Sequence, residues 1–380
     1  MYIRKQIFKG SENESLFLWG ARQTGKSTLL KSLYGDSVWF DLLLSDVYER
    51  LQRNPATIRE IILASNPVQP VIIDEIQRIP ALLNEVHWLI SNKNIQFILS
   101  GSSPGKILRS GANLLGGRGL RYELYPLIYQ EIPDFDLIRA LNNGLLPRHY
   151  ISKKPAKLIS AYIGSYLRDE ILAEAKIRNM TTFSRFLEIA AFSNGEIVNY
   201  STIATECGVS APTIREYFQI LVDTLTGRFL PSFQKRPKRR VIRSPKFYYF
   251  DLGIANYLLK RGEIKKGSES FGKAFEHFIY HELISHSSYS GLDYPISYWR
   301  TASQIEIDFV LGNHEVAIEV KSTDHAHMRH AKGLMNFSEE YKIKKMIIIS
   351  NDPYPRQLNN IIILPWDIFL QKLWAGEIIQ

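Results

Sequence analysis

The segment Gly20-Ala21-Arg22-Gln23-Thr24-Gly25-Lys26-Ser27 constrains this chain more than any other. It has the form G-x-x-x-x-G-K-[ST]. The apolar run Leu16-Phe17-Leu18-Trp19 precedes it, and Thr28-Leu29-Leu30-Lys31-Ser32-Leu33, with helical character, follows. A strand, a glycine-rich turn and a helix in that order make a cradle for phosphate. Gly20 and Gly25 let the backbone turn tightly and aim its N–H groups inward, and the helix N-terminus adds partial positive charge. Lys26 is placed to reach the β- and γ-phosphates of ATP, and Ser27 to ligate Mg2+. The nucleotide-binding candidates are Gly20, Ala21, Arg22, Gln23, Thr24, Gly25, Lys26, Ser27 and Thr28. The plain alternative is a glycine-rich connector.

A second motif argues against a mere connector. Val71-Ile72-Ile73-Asp74-Glu75 reads as a buried parallel strand ending in two carboxylates, where ligand chemistry sits in open α/β sheets. Asp74 is expected to help hold Mg2+, and Glu75 to polarise the attacking water as general base. A third strand, Ile95-Gln96-Phe97-Ile98-Leu99, runs into Ser100-Gly101-Ser102-Ser103. Ser100 and Ser102 are both candidates to touch the water or the γ-phosphate. Val38-Trp39-Phe40-Asp41 supplies another strand, so the region is an α/β sheet with phosphate chemistry on one edge. Arg118, within Gly116-Gly117-Arg118-Gly119, is a candidate arginine finger; acting in trans it implies a homo-oligomer. An ordinary surface arginine is the alternative.

Charge organises the rest. The 380 residues carry 47 Lys+Arg against 38 Asp+Glu, a net +9. Residues 1–140 sum to +2, residues 141–260 to +9 and residues 261–380 to −2, so the excess belongs to the middle third. Three modules with those boundaries are expected, in keeping with roughly 100–200 residues per domain. Hydrophobic residues at 45% and charged residues at 22% exclude disorder as the main character. No apolar run reaches the roughly 18–20 residues of a membrane span, and the start, Met1-Tyr2-Ile3-Arg4-Lys5, has no apolar leader. Cys207 is the single cysteine, which excludes an intrachain disulfide. A cytoplasmic setting without a membrane partner is expected.

In the middle module, residues 157–175 and 181–193 have helical spacing. The stretch Tyr200–Tyr217 has the pattern of a helix-turn-helix. Ser201 and Ser210 are placed as caps, Gly208 in the turn and Pro212 in the first turn of the second helix. Two short strands follow, 227–230 and 246–250. Between and beside them lies the basic cluster Lys235, Arg236, Lys238, Arg239, Arg240, Arg243 and Lys246. A basic hairpin after a helix-turn-helix reads as a wing that contacts nucleic-acid phosphates, with DNA as the expected partner. A solvated charge run that protects a sheet edge is the alternative.

In the last module, residues 271–286 read as an amphipathic helix that includes Glu276. Ile305–Val310 and Val316–Lys321 both alternate, so each is a strand, with a turn at Gly312-Asn313. Period two puts Glu306 with Asp308, and Glu319 with Lys321; the hairpin brings Asp308 beside Glu319. Paired carboxylates suit Mg2+ or Mn2+, with Glu276 as a further ligand, and Lys321 could stabilise phosphorane charge. A solvated polar face with Glu319 paired to Lys321 yields the same letters.

In this order the modules resemble prokaryotic AAA-type P-loop ATPases with a winged helix and a C-terminal, restriction-endonuclease-like domain of unknown function, the DUF4143-type proteins. The resemblance rests on Leu18–Ser27, Ile73-Asp74-Glu75-Ile76-Gln77, Ser100–Ser103, Tyr122–Leu127, Ser244–Gly253 and Ile318-Glu319-Val320-Lys321-Ser322. It implies ATP on Gly25, Lys26 and Ser27, paired acids at Asp74 and Glu75, and a nuclease-like site on Asp308, Glu319 and Lys321. The expected activity is Mg2+-dependent ATP hydrolysis coupled to a DNA-associated winged helix and the nuclease-like domain. The alternative is a nucleotide-dependent switch that binds a protein or DNA, with an inactive C-terminal domain.

Overall fold

The computed structural model describes residues 2–109, 115–117, 119–164, 179–235 and 241–380. They form two compact units: one from residues 1–127 and 219–226, the other from 128–218 and 227–380. Apart from residues 219–226, the expected modules 141–260 and 261–380 fall in one unit. Arg118 and the basic residues Arg236, Lys238, Arg239 and Arg240 lie outside the described residues.

The first unit is built on five strands: β1 (Ser15–Trp19), β2 (Trp39–Asp41), β3 (Val71–Asp74), β4 (Phe97–Gly101) and β5 (Gly119–Glu123). Their order is β2-β3-β4-β1-β5, and every pairing is parallel. Helices connect the strands and cover the sheet, which is why β1, β3 and β4 are buried along their whole length. Ile72, Ile73, Phe97, Ile98 and Leu99 are fully buried. Each such side chain contributes about 1.5–3 kcal/mol relative to leaving it in water. The order matters for chemistry. β4 lies between β1 and β3, so the ends of all three strands face one site. Helix α1 (Lys26–Leu33) leaves the turn after β1, with Gly25 at its N-cap and φ of 98°.

The second unit begins with short helices, then a thirteen-residue helix at Met180–Phe192. Of the helix expected over 157–175, the structure describes Pro155–Ala161 and a short continuation; residues 165–178 lie outside the described set. Strand β6 (Glu196–Ile197) leads into α2 (Tyr200–Cys207) and α3 (Ala211–Asp223), the expected helix-turn-helix. Gly208 closes α2 in the left-handed region at φ 69°. The cap of α2 is Asn199, whose side chain accepts from the Thr202 N–H at 3.2 Å, rather than Ser201. An asparagine one position earlier satisfies the orphan N–H and leaves Ser201 inside the first turn. Ser210 caps α3 as expected, accepting from the Thr213 N–H at 3.3 Å. Cys207 is buried among apolar side chains, which pushes its thiol pKa up.

Strands β7 (Gly227–Leu230) and β8 (Lys246–Tyr249) pair antiparallel, and β6 adds to β8, giving the order β6-β8-β7. A long helix α4 (Glu269–Tyr289) follows. Then come β9 (Ile296–Arg300), β10 (Glu306–Leu311), β11 (Val316–Val320), β12 (Lys345–Ser350), β13 (Arg356–Leu358) and β14 (Ile361–Pro365) in a six-stranded mixed sheet. Its order is β13-β14-β12-β11-β10-β9. The edge strand β9 is not bare. The segment after β7 bonds to it through Phe233 N–H to Tyr298 O at 2.7 Å and Tyr298 N–H to Pro231 O at 3.0 Å. The segment before β8 adds Ile242 N–H to Arg300 O at 2.9 Å. The base of the basic hairpin is thus stitched to this sheet, which covers an edge that would otherwise invite association.

Candidate functional site

The phosphate loop is shaped by close packing. A Cβ at Gly20 would sit 2.5 Å from the Leu124 carbonyl oxygen, so no larger residue fits there. Thr24 Oγ1 donates to Ala21 O at 2.9 Å across the turn. Lys26 is buried, and its ammonium donates to Gly20 O at 2.8 Å and to Ala21 O at 3.3 Å. Burial pulls its pKa below the ordinary lysine value, and the nearby Glu75 and Asp74 only partly oppose this. Gln23 and Thr28 are exposed. Arg4, which the motif did not point to, braces the loop through Thr24 O and, at 2.6 Å, Tyr125 O.

The acids at the end of β3 are buried with this loop. Ser27 Oγ donates to Asp74 Oδ2 at 2.6 Å. Ser100, at the end of β4, donates to the other oxygen, Asp74 Oδ1. Glu75 sits in the left-handed region at φ 60°, a strained position for a non-glycine residue. Gln77 Nε2 donates to Glu75 Oε2, and also to Ser102 Oγ at 3.1 Å. Ser102 Oγ in turn lies 3.4 Å from Glu75 Oε2. The two serines therefore divide: Ser100 serves Asp74, and Ser102 serves Glu75. Gln77 is the residue the sequence reading passed over, although it stands two places after Glu75 in the quoted motif. Its Oε1 is buried without a partner among the described residues. Gly101 makes room for it, since a Cβ there would collide with Gln77 and Trp19.

The donor set suits Mg2+ and a triphosphate. Lys26 is held by neutral carbonyls, which phosphate oxygens can replace without breaking an ion pair. Ser27 and Asp74 already form a hydroxyl–carboxylate pair of the kind that holds Mg2+.

The carboxylates of the second unit are arranged differently. The β10–β11 ladder ends at Phe309 opposite Ile318, with Asp308 and Glu319 the next residue on each strand. The β9–β10 pairing shifts register between Ile307 and Val310, around Asp308. Asp308 Oδ2 accepts from Val320 N–H at 2.7 Å. Glu319 Oε1 meets Lys321 Nζ at 2.5 Å, while Glu319 Oε2 is buried with no partner among the described residues. Burial, with Glu276 nearby, pushes Asp308 up to about 7 against the pull of Lys321 and Lys246. Burial beside Asp308 pushes Glu319 up as well.

Here the structure corrects one expectation. Lys246 does not belong to the exposed basic cluster. It is 2% exposed, and its ammonium lies 2.5 Å from Glu306 Oε1 and 3.1 Å from Glu276 Oε1. Lys235 and Arg243 are exposed. Asp308, Glu319 and Glu276, the expected ligands for Mg2+ or Mn2+, lie near one another and beside Lys246 and Lys321. Among the described residues no group of three or more His, Cys, Asp or Glu side chains is arranged to hold a metal. Lys246 pairs with Glu276 and Glu306, and Lys321 with Glu319. Tyr248 also donates to Glu276 Oε1 at 2.6 Å, and Arg300 pairs with Glu306 Oε2 at 3.0 Å. The signal for Lys246 was a lone lysine heading the aromatic strand Lys-Phe-Tyr-Tyr.

Family models match three consecutive segments: an AAA domain over residues 12–133, a domain of unknown function (DUF8612) over 134–265, and a domain of unknown function (DUF4143) over 271–369. The uncharacterized proteins Rv2008c of Mycobacterium tuberculosis and Mb2031c of Mycobacterium bovis are each similar at 26% identity over 325 residues, covering 81% of this chain and 70% of theirs. Among solved structures, the Walker-type ATPase PABY2304 of Pyrococcus abyssi is similar with a TM-score of 0.45 at 14% identity, over 65% of this chain and 91% of that one. A signal-transduction ATPase with a tetratricopeptide-repeat sensor, PH0952 from Pyrococcus horikoshii, scores 0.21 at 12% identity, over 74% of this chain and 48% of that one. At those scores neither likeness extends what the family models show. No helix among the described residues is long and apolar enough to cross a membrane. The chain has the architecture of an AAA-type P-loop ATPase that carries a DUF4143 domain.

Proposed function

We propose that the protein hydrolyses ATP in the first unit, with Mg2+ held through Ser27 and Asp74. The observation that carries this reading is the meeting of three strand ends: Ser27 after β1 and Ser100 at the end of β4 bond to the two oxygens of Asp74 at the end of β3. When bound, Mg2+ would neutralise charge on the β- and γ-phosphates. The chain's own residues do the rest. Lys26 exchanges its bonds to Gly20 and Ala21 for phosphate oxygens. Glu75, held by Gln77 and Ser102, accepts the proton of the attacking water. Arg118 remains the candidate for a finger supplied by a second copy. Phosphate release should require Mg2+ and collapse in Lys26→Ala and Glu75→Gln. Wild-type turnover no higher than that of Lys26→Ala would refute the reading.

The reading extends to DNA through the helix-turn-helix and the basic hairpin, taken as a winged helix. Support comes from the order α2, α3, β7, β8 and from exposed Lys235 and Arg243 flanking Arg236, Lys238, Arg239 and Arg240. DNA should stimulate turnover in the wild type and not in Lys238/Arg239/Arg240→Ala. Absence of stimulation in both would favour a nucleotide-dependent switch for a protein partner. The ion pairs of the C-terminal carboxylates also favour the switch reading, with no cleavage there, over a restriction-endonuclease-like nuclease.

A further inference from the structure

Glu276, Glu306, Asp308 and Glu319 converge in the second unit on α4, β10 and β11. Four acids so placed attract a cation. Lys246 supplies one from β8. Its ammonium reaches Glu306 and Glu276, and it lies 5.6 Å from the centre of the Tyr298 ring. Tyr248, two residues on and so on the same face of the strand, donates to Glu276 as well. The backbone flanking the hairpin is tied to β9 on both sides, at Pro231, Phe233 and Ile242.

We propose that the Lys246 ammonium takes the place of a metal cation in this cluster, and that the cluster is an ion-pair lock fastening the β7–β8 hairpin to the six-stranded sheet. The charges support this. Four carboxylates face Lys246, Lys321 and Arg300, which leaves one negative charge. Among the described residues the buried Glu319 Oε2 has no hydrogen-bond partner. A divalent cation would bring two charges to a cluster that needs one. A cation that used oxygens of Glu276 or Glu306 would have to displace Lys246, which covers them. The inference is independent of ATP hydrolysis, because it concerns the second unit alone.

The test is Mn2+ binding to the full chain without nucleotide, followed by calorimetry and by the electron paramagnetic resonance of free Mn2+. Wild type and Asp308→Asn should give the same isotherm within twofold. Lys246→Met should gain a site at least tenfold tighter than any in wild type, and Lys246→Met/Asp308→Asn should lose it. Limited proteolysis supplies a readout that does not involve metal: cutting between residues 230 and 246 should be at least fivefold faster in Lys246→Met. Wild-type Mn2+ binding that disappears in Asp308→Asn would overturn the proposal, and this comparison does not depend on whether Lys246→Met folds. So would a cooperatively melting Lys246→Met that gains neither the site nor the faster cleavage.

Discussion

Two buried lysines beside paired acids set the phosphate loop and the C-terminal cluster apart. Lys26 bonds to the backbone carbonyls of Gly20 and Ala21, and burial leaves its pKa below the ordinary lysine value. Lys246 is equally buried, and burial alone would lower its pKa too. Glu276, Glu306 and Asp308 more than reverse that and hold it above the ordinary value. The opposite directions follow the bonding: the Lys26 ammonium bonds to neutral carbonyls, whereas the Lys246 ammonium bonds directly to two carboxylates. A site whose acids and lysine are held by neutral donors can take a charged ligand by exchange. A site held by ion pairs must first break them, which is costly when they are buried.

The comparison breaks first at Lys26 and Glu75. Lys26→Ala should lower ATP turnover by roughly 10³-fold, about 4 kcal/mol of transition-state stabilisation. Glu75→Gln should lower it by about 10²-fold, with nucleotide binding retained. Phosphate release under saturating ATP and Mg2+ checks both. Turnover within twofold of wild type in either variant removes that residue from the chemistry.

Lys246→Met should cost about 3 kcal/mol in denaturant unfolding of the second unit, because it strands two acids in a poorly solvated cluster. Lys321→Met should cost about 1 kcal/mol, since the Lys321 side chain is 35% exposed and water screens its pair. Equal costs would mean that the two lysines do the same work and that Lys246 is not a special anchor.

The difference between the sites was only half visible in the sequence. The phosphate site was legible because its geometry is local: Gly20 to Ser27 is one turn, and Asp74-Glu75 ends one apolar strand. A short hairpin and period two also led to the expectation that Asp308 and Glu319 lie near one another. Lys246 was misassigned because its partners lie 30 and 60 residues away in sequence and only tertiary pairing brings them to it. Among six other basic residues, its composition could not distinguish it from them. Ser100 and Ser102 could not be separated either, since two residues apart on one loop they differ only in which acid each reaches.

A smaller effect comes from the glycine that accommodates Gln77. Gly101→Ala should cost about 2 kcal/mol of stability in the first unit, through overpacking against Gln77 and Trp19. Turnover should fall along with stability if Gln77 orients Glu75. Gln77→Leu separates the two effects, because it keeps the volume and removes the amide. A stable, fully active Gln77→Leu would reduce Gln77 to packing.

The smallest expected effect concerns protons in the cluster. In the folded chain burial, with Glu276 nearby, pushes Asp308 up to about 7, against 3.8 for an ordinary aspartate. Between those values the folded state binds more protons than the unfolded one, so stability must fall as pH rises through 7. For one group this amounts to about 1 kcal/mol between pH 6 and pH 8. Asp308→Asn cannot ionise and can still accept from Val320, so it should not show that loss. The stability of wild type minus that of Asp308→Asn, from urea unfolding at both pH values, should therefore drop by about 1 kcal/mol on going to pH 8. A difference that is flat with pH would mean that Asp308 does not change its protonation between pH 6 and pH 8, and would remove it as the source of any pH dependence.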